Sequence, residues 1–118
     1  MDIESLLASV PDPTDEYMLS RREAGHSYTL VFLHKSPNWD AMRELNAQVH
    51  LEHLQHLTRL QMLGKLVLNG PILVDHEIAG VSVYAAGPEE ARLLAEADPK
   101  VKAGILTVEA IPWFAVPA

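Results

Sequence analysis

The sharpest alternation of apolar and polar positions begins after Gly25. Tyr28-Thr29-Leu30-Val31-Phe32-Leu33-His34 is rich in β-branched and aromatic residues and reads as a strand. Ser36-Pro37-Asn38 opens a helix predicted to run to about Leu63, where Gly64 supplies a C′ residue that tolerates the left-handed conformation. Lys65-Leu66-Val67-Leu68-Asn69, ended by Gly70-Pro71, and Gly80-Val81-Ser82-Val83-Tyr84-Ala85 read as the second and third strands. A second helix starts at Gly87-Pro88-Glu89-Glu90, with proline in its first turn and carboxylates near the positive end of the dipole. It ends around Ala97, before Asp98-Pro99, and Ile105 to Ile111 forms a fourth strand. The order β-α-β-β-α-β predicts an α+β, ferredoxin-like fold in which both helices cover one face of a four-stranded antiparallel sheet.

The other face of that sheet is apolar as well. Leu30 and Phe32 point one way in the first strand and Val31 and Leu33 the other, while Val81 and Val83 oppose Tyr84 in the third. Two helices cannot cover both faces, so a second copy packed sheet to sheet is expected, giving a homodimer. The alternative cover is the N-terminal segment. Residues 1–25 read as an extension to a domain spanning 26–118. Within it Ile3 to Val10 suits a short helix stopped by Pro11-Asp12-Pro13, and Thr14 or Asp15 suits the cap of a second helix reaching Gly25. An acidic flexible arm is the competing reading of the same stretch.

Composition narrows the function classes. The chain has 118 residues, no cysteine and a formal charge of −7 from 9 basic and 16 acidic side chains. The length suits one domain. The missing thiols exclude disulfides, thiolate metal sites and cysteine nucleophiles. The acidity argues against nucleic acid and against an anionic membrane surface as partners. Six of the acidic residues precede Gly25, so the charge describes the N-terminal segment more than any pocket. No apolar run approaches a membrane span, and the first residues lack the positive stretch of a signal peptide, so a cytoplasmic location is expected.

One feature of the first helix breaks its pattern. At about 100° per residue, Met42, Leu45, Val49, Leu60 and Leu63 fall within roughly 60° of one another and form the core stripe. His53 lies about 20° from Met42 and Leu60, near the stripe's centre, with His56 about 40° to its other side and His50 towards the opposite edge. An imidazole there needs a hydrogen-bond partner or a cavity. Three readings stand: a core histidine bonded to a backbone carbonyl, an acid or base facing a pocket, and, from the i, i+3 spacing of His50, His53 and His56, a metal ligand. The metal reading lacks an HExxH-type pattern and any thiol, so no metal is expected. Val74-Asp75-His76-Glu77 is read as a hairpin loop with solvated charges.

The run His53-Leu54 … Leu63-Gly64-Lys65-Leu66-Val67-Leu68-Asn69-Gly70-Pro71, then Gly80, then Glu89-Glu90-Ala91 … Ala97-Asp98-Pro99, Ala103-Gly104 and Pro112-Trp113 resembles the YciI-like (YCII-related) family of dimeric α/β-barrel proteins over about residues 28 to 114. The resemblance implies a ferredoxin-like protomer whose sheets pair into a barrel. It also implies a histidine–aspartate active site, carried here by His53 and by Asp98, a residue whose structural role would be to end a helix and bond nearby backbone. Many family members carry arginine near the position of His50, and this departure weakens any inference to an anionic substrate held by that arginine. With no serine elbow, phosphate loop or dinucleotide fingerprint beside the pair, the implied chemistry is proton transfer on a small cyclic or aromatic metabolite without a cofactor. Such a protein is a lyase or isomerase; the alternative is a non-catalytic ligand-binding or accessory domain. His50, His56, Asn69, Trp39 and Trp113 are expected to contact the substrate, with Phe114 as a further wall residue.

Overall fold

The computed structural model describes residues 2–42 and 47–118, the side chains of 41 and 42 excepted. Two compact units emerge, Ser27–Trp113 and the pair of segments Met1–His26 and Phe114–Ala118.

The larger unit carries four strands, β1 (His26–Lys35), β2 (Leu66–Pro71), β3 (Ile78–Tyr84) and β4 (Leu106–Ala115), the first and last running on past its limits. They form one antiparallel sheet in the order β2-β3-β1-β4, the ferredoxin-like arrangement expected from the element order. Counting the two N-terminal helices as α1 (Ile3–Ala8) and α2 (Asp15–Glu23), the larger unit contributes α3 (Trp39–Met42), α4 (Ala47–Met62), α5 (Pro88–Glu96) and α6 (Pro99–Lys102). Residues 43–46 of the predicted long helix, Leu45 among them, and the side chain of Met42 lie outside the described residues.

Alternation along the strands divides the sheet into two faces. Thr29, Val31 and Leu33 of β1, Ser82 and Tyr84 of β3, and Leu66 and Leu106 at the starts of β2 and β4 are buried. The apolar ones join Leu60 of α4 and Ala91 and Ala95 of α5 in one core. Thr29 closes its own polar group there by donating its hydroxyl to the Ala86 carbonyl at 2.7 Å. Leu30 and Leu68 both pair with Val83, and Phe32 with Val81, so these residues share the opposite face. The register skips Val67 between Leu66 and Leu68, a bulge that turns Leu66 to the core and leaves Leu68 68% exposed.

The core stripe of α4 holds at Leu60, 3% exposed, and at Val49, which packs against the core. It fails at Leu63, which is 71% exposed. The helix ends at Met62, so the angular arithmetic no longer applies one residue later. Gly64 adopts φ 74°, its N–H bonds to the Gln61 carbonyl at 3.0 Å, and the Lys65 N–H bonds to the Leu60 carbonyl at 2.9 Å. That is a Schellman termination, made by the glycine marked in the sequence. The four-residue α6 lies beyond the predicted end of the second helix, in a stretch too short for periodicity to mark.

In the smaller unit Asp2 caps α1, its carboxylate accepting from the Glu4 N–H at 3.0 Å and the Ser5 hydroxyl at 2.8 Å. Thr14, rather than Asp15, caps α2 by accepting from the Tyr17 N–H at 3.1 Å. The Arg21 guanidinium donates to the carbonyls of Pro117 and Ala118 at 2.7 and 2.9 Å. Gly25 lies against the Phe114 ring, where a Cβ would clash. The last five residues are grouped with the first 26.

Replacing Leu60 by alanine is expected to lower unfolding free energy by about 2–5 kcal/mol through the cavity it opens. Leu63→Ala should change it by no more than about 0.5 kcal/mol. Urea unfolding of the two variants measures both.

Candidate functional site

Two elements bring the site together. α4 presents His53 at the middle of its inward stripe, and the turn between α5 and α6 presents Asp98. His53 Nδ1 lies 2.6 Å from Asp98 Oδ2; the side chains are 13% and 2% exposed. Asp98 Oδ1 accepts the backbone N–H of Lys100 at 2.9 Å, capping α6. Each carboxylate oxygen has a separate task, so Asp98 is a helix cap and a histidine partner at once. Pro99 in the first turn of α6 helps, because its fixed φ suits that position and its missing N–H leaves the cap to Lys100.

This geometry selects a tautomer. A carboxylate can only accept, so Nδ1 is the protonated ring nitrogen. Nε2 then carries the lone pair, and among the described residues it has no hydrogen-bond partner. His53 lines a cavity of about 230 Å³, whereas Asp98 does not reach it. The ring therefore stands between a buried acceptor and open space.

The cavity runs from α4 to the strands β2 and β3. Leu33, Leu54, Leu57 and Leu106 make its walls largely apolar, and His50, Asn69 and Trp39 line it. Gly80 lies on the sheet face turned towards the helices and lines the cavity, and a Cβ there would come within 3.1 Å of the Gly70 carbonyl oxygen of β2. The Trp39 indole Nε1–H is buried with no hydrogen-bond partner among the described residues. The His50 ring centroid is 6.1 Å from that of His53. The nearby Lys100 charge, then partial burial, then His53 lower its pKa, so it stays neutral at physiological pH.

Three residues expected at the cavity wall are elsewhere. His56 turns towards α5, where Nε2–H donates to the Leu94 carbonyl at 2.9 Å. It takes the backbone-bonded core role that was one of the readings for His53, because it lies on the α5 side of the helical stripe. Trp113 is 43% exposed and does not line the cavity, and neither does Phe114, 52% exposed. Among the described residues no group of three or more His, Asp or Glu side chains is placed to hold a metal ion.

Sequence reasoning missed Lys100 and Tyr84. Lys100 lines the cavity from α6 and is half-buried; burial depresses its pKa, opposed by the Asp98 charge. No pattern marked it, since a lysine in a four-residue helix has no periodicity to stand out from. Tyr84 is 2% exposed on β3. Burial, and then the negative charge of Asp98, push its hydroxyl up to about 12. Its apolar neighbours in the strand made it look like ordinary core.

Residues 28–114 match the YCII-related domain, and the chain belongs to that family. No curated protein sequence matches it. Among solved structures it is similar to the 5-chloro-2-hydroxyhydroquinone dehydrochlorinase TftG of Burkholderia phenoliruptrix AC1100, determined in complex with 2,5-dihydroxybenzoquinone. The two share 20% identity with a TM-score of 0.56, over 73% of this chain and 92% of the other. At that identity the likeness is one of fold. No helix among the described residues is long and apolar enough to cross a membrane.

Tyr84 generates a pH prediction. Its folded pKa lies above the unfolded value near 10, so between about pH 10 and 12 the unfolded chain loses a proton that the folded chain keeps. The contribution is complete below pH 10 and disappears as pH rises through about 12, an effect on the order of 2 kcal/mol. Urea midpoints measured across that interval should fall more steeply for the wild type than for Tyr84→Phe.

Proposed function

We propose that the protein is a lyase or isomerase that moves a proton on a small cyclic or aromatic metabolite, with His53 as general base and Asp98 as the residue that orients it. The observation carrying this reading is the 2.6 Å contact between His53 Nδ1 and a buried carboxylate, beside a cavity that Asp98 itself does not line. In the first step a substrate C–H or O–H bond breaks and its proton goes to Nε2. The electron pair moves onto the substrate, as an enolate or phenolate oxygen. Isomerisation follows if His53 returns the proton to another atom, and elimination follows if the pair expels a leaving group. Elimination is the chemistry named in the dehydrochlorinase that shares the fold, which acts on a hydroxylated ring. A planar six-membered ring suits a cavity of this size with mostly aliphatic walls. Trp39, Asn69 and His50 are the side chains proposed to contact it.

A second copy of the chain is proposed to cover the open sheet face. In the single chain Leu68 and Ile111 on that face are 68% and 40% exposed, and Leu30, Phe32 and Val81 are half-buried. A contiguous apolar surface of this kind marks an interface.

Solvent deuterium exchange into a panel of hydroxylated aromatic and cyclic carbonyl compounds, followed by mass spectrometry, tests the catalytic reading. His53→Ala should abolish exchange. Asp98→Asn should keep the α6 cap, but its amide would donate to Nδ1, move the ring proton to Nε2 and slow exchange by about 10²–10⁴-fold. If the wild type binds such compounds and exchanges none, the protein is a binding domain instead.

Sedimentation tests the assembly. Wild type is expected to run as a dimer and Phe32→Glu as a monomer; a wild type that is monomeric at micromolar concentration excludes the sheet-to-sheet pair.

A further inference from the structure

Lys100 is the one cation lining the cavity among the described residues, and none of the ion pairs formed there satisfies it. Three other cations of the larger unit have partners: Lys35 lies 3.4 Å from Asp75, Lys65 2.7 Å from Glu90, and Arg92 lies between Glu89 and Glu96. A half-buried ammonium against apolar walls is costly to keep without a counter-charge. Asp98 is close enough to be felt by Lys100, yet both its oxygens are already engaged, one by His53 and one by the Lys100 backbone N–H. The same carboxylate therefore sets the position of the base and, two residues along the chain, the root of the ammonium side chain.

Two more polar groups of the cavity favour the same occupant, while Asn69 and Ser82 each offer a donor as well as an acceptor. Trp39 Nε1–H is an unused donor, and His50 is kept from becoming a second cation by the Lys100 charge itself. An apolar slot with one unpaired positive charge, a spare N–H and a base matches a planar molecule carrying a negative oxygen.

From this we infer that the cavity is built for a ring compound bound or formed as its oxyanion, a phenolate or enolate, and that Lys100 is the residue that holds that oxygen. The inference rests on the reading of His53 as base and extends it. As the C–H or O–H proton passes to His53 Nε2, the electron pair settles on the ring oxygen, and the Lys100 ammonium, already in place, offsets the charge that develops there. No reorganisation of water is required at that moment, because the positive charge is carried by the wall.

The experiment uses 4-nitrophenol, whose phenolate and phenol absorb at different wavelengths, and 4-nitroanisole as its uncharged counterpart. Wild type should bind the phenolate at least about tenfold more tightly than the anisole, so that bound 4-nitrophenol ionises about one pH unit below the free compound. Lys100→Met should erase that shift and weaken phenolate binding about tenfold, while leaving the anisole unaffected. Lys100→Arg, which keeps the charge, should retain the shift. Equal affinities for phenolate and anisole in the wild type, an undiminished shift in Lys100→Met, or no binding of either at millimolar concentration overturns the inference. If Lys100→Met does not fold, the wild-type comparison and Lys100→Arg decide it. His53→Ala separates the two proposals: if the base assignment alone is wrong, wild type shows no proton exchange yet both proteins keep the phenolate shift. If the Lys100 assignment alone is wrong, exchange depends on His53 while the shift is missing.

Discussion

The two oxygens of Asp98 carry the organisation of the site. A carboxylate that is 2% exposed survives in a folded chain only if its acceptor capacity is used. Here Oδ1 takes the Lys100 N–H and Oδ2 takes His53 Nδ1, so a helix cap and a side-chain contact become one object. The cap stabilises the start of α6, α6 carries Lys100 to the cavity, and the side-chain contact locks the imidazole to α4. The buried Tyr84 of β3 also feels the charge of Asp98, which, after burial, keeps its hydroxyl protonated. Removing the carboxylate would disturb all of these together, which is why alanine at 98 would be a poor probe of chemistry and asparagine a better one.

The sheet supports this arrangement through its unequal faces. On the helix side Val31, Leu33 and Leu66 belong to the packed core, and Gly80 lines the cavity where the Gly70 carbonyl approaches too closely for a side chain to fit without displacement. On the other side the exposed apolar row of Leu68 and Ile111 has no role in that core. His34 on that face is held between Glu109 at 2.8 Å and Glu77 at 3.4 Å, a charged fringe to an otherwise apolar surface.

Much of the fold was legible because it depends on local rules. β-Branched runs made the strands of the sheet, Gly64 stopped α4 through its left-handed conformation, and Pro88 with Glu89 and Glu90 started α5. The misses have one cause. Leu63 looked like core until the helix ended beneath it, Val67 slipped out of register in a bulge, and α6 was too short to leave a period. Each depends on where an element stops, and the stopping point is set by packing and capping together.

The site divides along the same line. The sequence alone determined that an imidazole interrupts an apolar helical stripe at His53, and that an Asp-Pro step follows the second helix, since both are matters of spacing and backbone chemistry. Which histidine meets the carboxylate was decided by tertiary structure: His53 bonds Asp98, His56 bonds the Leu94 carbonyl and His50 lines the cavity. The three differ by a few tens of degrees around one helix axis, and a difference that small acquires meaning only when α5 and α6 are packed against α4. The same packing turned Lys100 from one more surface cation into the charged wall of an apolar cavity. Burial and the lack of a free carboxylate are properties of the folded neighbourhood and are written in no single stretch of the chain.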